Sequence, residues 1–74
     1  MSETVKVLLV YSTSHAIKIE KMLKAGGIPC KLVPVPRHLS SDCGICVRFG
    51  SEDETAVRAA VETSEIETPG IFAL

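Results

Sequence analysis

Apolar and polar positions alternate or cluster along this chain in a way that marks six elements. Val5 and Val7 to Tyr11 form a β-branched, almost wholly apolar run, as a strand buried on both faces requires, so a central strand is expected over Thr4 to Tyr11. Ser12, Thr13 and Ser14 then offer three N-cap residues in a row. From Thr13 to Ala25, Ala16, Ile19, Met22 and Leu23 recur at helical spacing while Lys18, Lys21 and Lys24 fall on the opposite side, and Gly26-Gly27 supplies the stop. Pro29 to Val35 reads as a second strand; Pro34 and Pro36 cannot donate ladder hydrogen bonds, so the strand is expected to be an edge one or to stop early.

A polar connection, PRHLSSDC, leads into Gly44 to Phe49, where Ile45, Val47 and Phe49 alternate with Cys46 and Arg48, the period of a strand. Ser51 and Glu54 have capping-box spacing ahead of a second helix whose apolar stripe is Val57, Ala60 and Val61. The terminal GIFAL is a short last strand or an ordered tail.

The order β-α-β-β-α-(β) predicts an α+β, ferredoxin-like sandwich: an antiparallel sheet with two helices on one face. That topology has a local consequence. The end of the first strand, the start of the first helix and the start of the third strand must share one end of the sheet. YSTSH and SDCG are thereby expected to be neighbours although about thirty residues separate them in the sequence.

Composition narrows the function classes. Seventy-four residues make a single domain, 1–74, and a chain this short buries only roughly 60–65% of its unfolded surface. Dimerisation is one route by which so small a core is completed. Hydrophobic residues make up 46% and aromatics 4%, so the core is built from aliphatic side chains. A net charge of −1 with no basic stripe argues against nucleic acid as a partner. No apolar run approaches a membrane span, and the first residues lack the features of a secretory signal, so the cytoplasm is the expected location and no membrane partner is expected. An odd number of cysteines, three, does not read as a disulfide framework.

The candidate chemistry lies in SSDCGICVRF. Cys43 and Cys46 have CxxC spacing, but the alternation that follows is that of a strand, on which the two side chains point to opposite faces. A zinc site would draw on Cys43, Cys46, His38 and His15, a set lacking a second CxxC or a spaced His pair, and no metal or other cofactor is expected. Cys43 has two remaining readings. It is a small packed residue, or it is a reactive thiol. For the second, a helix N-terminus lowers a thiol pKa, the hydroxyls of Ser12, Thr13 and Ser14 add donors, and His15 with Arg37 or His38 could add positive charge. Gly44 would leave the sulfur open to approach, while Asp42 opposes ionisation. Cys30, beside Pro29, reads as structural.

The ordered pieces ST-x-H-A (Ser12, Thr13, His15, Ala16), P-x-P-R (Pro34, Pro36, Arg37), S-S-x-C-G (Ser40, Ser41, Cys43, Gly44) and R-F (Arg48, Phe49) resemble the selenium/sulfur carrier protein-like family over roughly Val5 to Val61. The resemblance implies a carrier thiol at Cys43 that holds sulfur or selenium as a persulfide or selenosulfide. It also implies donor and acceptor proteins as partners. Cys46 departs from the family pattern and raises the question of a second thiol. Such a chain is a carrier or binding module rather than a self-sufficient enzyme; the competing reading is a scaffold or regulatory domain with an incidental thiol.

Overall fold

The computed structural model describes residues 4–39 and 44–73. In chain order these form β1 (Val5–Leu9), α1 (Thr13–Ala25), β2 (Cys30–Pro34), β3 (Ile45–Gly50), a 3-10 turn (Ser51–Asp53), α2 (Glu54–Ser64) and β4 (Gly70–Ala73). The strands make one antiparallel sheet of order β2-β3-β1-β4. This is the ferredoxin-like β-α-β-β-α-β arrangement. The most apolar strand, β1, is central, the proline-bearing β2 is an edge, and the terminal segment closes the other edge as a true strand paired with β1.

Period-two alternation divides the strand side chains between two clusters. Leu8, Val10, Val47 and Phe49 face the helices and pack with Ala16, Ile19 and Leu23 of α1 and Val57 of α2. Burial of a side chain the size of Ile19 or Leu23 contributes ~1.5–3 kcal/mol, so this layer holds both helices on one face. Val7, Leu9 and Cys46 point the other way. They too are buried, with Val33, Val35 and Leu39 packed against them. The segment after β2 therefore shields part of the face that the helices leave open. Its apolar residues alternate with prolines through Val33, Val35 and Pro36, a period-two signal that the sequence carries.

The caps explain where α1 starts and stops. Ser12 is extended (φ −151°, ψ 157°) and its side chain accepts the His15 N–H at 3.3 Å. At the other end Gly27 takes φ +78°, and Ile28 N–H reaches Leu23 O at 2.8 Å while Gly27 N–H reaches Lys24 O at 3.0 Å, a Schellman closure. The second helix starts differently from expectation. Ser51 opens a 3-10 turn and makes no side-chain cap, and α2 begins only at Glu54. The capping box does not form: the Ser51 N–H donates to Thr4 O at 2.9 Å, and the Glu54 carboxylate is engaged elsewhere. It pairs with Lys6 on β1 and accepts from Arg58 Nε, one helical turn on, at 2.9 Å.

Candidate functional site

Leu9 pairs with Cys46 and Pro34 with Ile45, the last register pairs at one end of the sheet. One step further, Val35 N–H donates to Gly44 O at 3.1 Å. Ser12 and the first turn of α1 leave from the same end, three residues after Leu9. The cap cluster and Gly44 thus share one end of the sheet. Cys43 and Ser41, with Ser40 and Asp42, lie outside the described residues.

Gly44 is exposed and has φ +75°, a conformation that side chains strain to adopt, with open space where a Cβ would stand. Backbone geometry thus favours a glycine at the residue following Cys43. Ser12 Oγ lies 3.1 Å from Ser14 Oγ, so the two hydroxyls form one polar pair at the start of α1. Thr13 and Ser14 are exposed, and no acidic residue lies in the first turn to offset the positive end of the helix dipole.

His15 is half-buried rather than a surface residue, and its Nδ1 is buried with no hydrogen-bond partner among the described residues. Its backbone is tied to the Ser12 cap. Arg37 and His38 are exposed in a turn closed by Leu39 N–H to Pro36 O at 3.0 Å. That turn belongs to the segment whose Val35 and Leu39 pack on the face away from the helices. Among the described residues, no hydrogen bond or ion pair joins Arg37 or His38 to Ser12, Ser14 or His15.

The two described thiols are both ill-suited to nucleophilic work. Cys46 is fully buried on the face away from the helices, its sulfur 3.8 Å from Pro34 O. Cys30 is half-buried at the far end of the sheet, with its sulfur 3.8 Å from Glu20 O. Burial pushes the Cys30 thiol pKa up, Glu20 pushes it the same way, and Lys24 opposes them. Of the four residues weighed as a zinc set, His15 is on α1, His38 is in the exposed turn, Cys46 faces away from the helices and Cys43 is outside the described residues. No group of three or more His, Cys, Asp or Glu among the described residues could hold a metal. No described helix is long and apolar enough to cross a membrane.

The helix N-terminus, with its hydroxyl pair and His15 in the first turn, leaves from the end of the sheet at which β3 starts. What sequence reading missed is the environment of His15: helical spacing alone did not reveal that its ring is drawn inward.

Comparison with curated proteins gave no match, and comparison with solved structures gave none. The family model described as "Putative Se/S carrier protein-like" matches residues 6–73, from within β1 to the end of β4. With nearly the whole fold inside that match, the chain belongs to the Se/S carrier protein-like family.

Proposed function

We propose that this protein carries sulfur or selenium on Cys43 and passes it between a donor and an acceptor protein. The observation that carries the reading is the position of Gly44: the residue next to Cys43 stands at the end of the sheet from which the capped N-terminus of α1 departs. Family membership supports the same chemistry.

In the loading step the Cys43 thiolate attacks the terminal, sulfane sulfur of a donor persulfide. A new S–S bond forms, the donor's S–S bond breaks, and the electron pair leaves on the donor's thiolate. The product is a Cys43 persulfide, with no net oxidant or reductant consumed. Selenium follows the same exchange as a selenosulfide. In delivery the acceptor attacks the terminal atom and Cys43 leaves as thiolate. Both forms are anions, so both gain from the helix dipole and nearby donors, and each favourable contact of this kind is worth ~0.3–1 kcal/mol. Ser12, Ser14 and His15 are the described groups assigned to this role. Thr13, Ser41 and Arg37 are assigned as supporting residues on sequence grounds. Neither step needs a cofactor or a deep pocket, which suits a carrier more than an enzyme.

Intact-mass spectrometry after incubation with a cysteine desulfurase and cysteine tests this. Wild type gains the mass of one sulfur atom and Cys43→Ser gains none. A wild-type chain that stays unloaded, under conditions that load a known carrier, would leave the scaffold reading in its place.

A further inference from the structure

At the opposite end of the sheet, where β2 begins and β3 ends, a cavity of about 500 Å³ is lined by Lys24, Lys31 and Arg48. Among the described residues, the only acidic one on its lining is Glu52. A chain of net charge −1 has therefore placed three of its eight basic residues around one concavity. Lys24 has a partner, Glu20, at 3.4 Å. Lys31 and Arg48 have none among the described residues, and they are directly opposed in the β2–β3 ladder, both exposed.

Like charges directly opposite on adjacent strands destabilise a sheet. Two unpaired cations held in that register at the mouth of a cavity are the complement of one dianion, which would convert their repulsion into two charge-assisted hydrogen bonds. The remaining walls include Val5, Pro29 and Phe49, so the concavity also offers apolar surface. We infer that this cavity binds a phosphate monoester bearing a small apolar group, with the phosphate between Lys31 and Arg48 and the apolar group against Val5 and Pro29. The site lies at the opposite end of the sheet from Gly44 and does not depend on the carrier reading.

The Glu52 carboxylate lies against Gly50, in the space a Cβ there would occupy. It contributes a repulsive charge, so Glu52→Gln tightens binding. Cys30 also lines the cavity and serves as a reporter of occupancy.

The test is an NMR titration of the isotopically labelled chain with phenyl phosphate, and separately with inorganic phosphate. Phenyl phosphate is expected to give saturable shifts centred on Lys31, Arg48 and Gly50 and to slow alkylation of Cys30. Lys31→Gln and Arg48→Gln, both exposed substitutions, should each weaken binding about tenfold, the loss of one charge-assisted hydrogen bond. Cys43→Ser should bind as wild type does. The inference is overturned by an absence of saturable shifts in the wild type, or by equal affinity in wild type and both Gln variants. Inorganic phosphate binding as tightly as phenyl phosphate would overturn the assignment of an apolar group.

Discussion

Leu9 and Cys46 lie directly opposite one another where β1 ends and β3 begins, both buried on the sheet face away from the helices. This pairing aligns the exit toward α1 with the entry from the Cys43 segment. It also removes Cys46 from solution chemistry. Native-state alkylation should leave Cys46 unlabelled until the protein unfolds, with Cys43 reacting first and Cys30 slowly. Cys46→Ser puts a hydroxyl into an apolar cluster and should cost ~1–3 kcal/mol in a denaturation experiment. Labelling of Cys46 at a rate comparable to Cys43 under native conditions would contradict its placement beneath Val35 and Leu39.

Gly44 should tolerate replacement only at a backbone cost. No atom lies within 4 Å of a Cβ added there, so the penalty for Gly44→Ala comes from the positive φ and amounts to ~1 kcal/mol. Asn visits that region more readily, so Gly44→Asn should lose less. Urea unfolding of the two variants decides this; equal losses would mean that backbone strain is not the cause.

The Ser12 cap separates structure from electrostatics. Ser12→Ala should destabilise by ~1 kcal/mol, whereas Asn or Asp at this position keeps a capping oxygen. Asp alone adds a negative charge at the proposed sulfur site. Ser12→Asp is expected to load sulfur more slowly than Ser12→Asn, with a higher Cys43 thiol pKa read from the pH dependence of alkylation. Identical rates for the two variants would argue against anion stabilisation at this helix end.

Glu54 ties α2 to β1. Hydrogen bonds from Lys6 and then Arg58 hold its carboxyl below the usual carboxylate range. A pKa depressed in the folded state contributes stability above the unfolded value, and that contribution is lost as pH falls through the folded one. Stability should therefore decline in the acid range below the ordinary carboxylate pKa. Glu54→Gln and Lys6→Met should each flatten that limb. An acid limb of unchanged slope in both variants would show that this pair does not set it.

The Lys31–Arg48 opposition predicts that, without ligand, Arg48→Gln raises stability by ~0.2–1 kcal/mol at low ionic strength. Added salt should shrink the difference. A destabilised variant would show that Arg48 has a structural role the ladder does not reveal.

Local pattern determined much of this protein. The all-apolar Val7 to Tyr11 run made β1 central, because a strand covered on both faces needs no polar side. The proline at 34 sent β2 to an edge, and the spacing of Ala16, Ile19 and Leu23 with the Ser12 and Gly26-Gly27 caps delimited α1. From that order of elements it was already legible that the start of α1 and the start of β3 share one end of the sheet, since an antiparallel sheet has only two ends. The residues that tertiary structure decided are those whose state depends on a partner far along the chain. Glu54 has the spacing of a capping residue, yet Lys6 is 48 positions away and draws the carboxylate to β1. Cys46 is half of a CxxC by sequence, and packing with Val7, Leu9 and Leu39 makes it a core residue. Lys31 and Arg48 are set face to face only by strand register, because alternation along one strand carries no information about which residue stands opposite on the next.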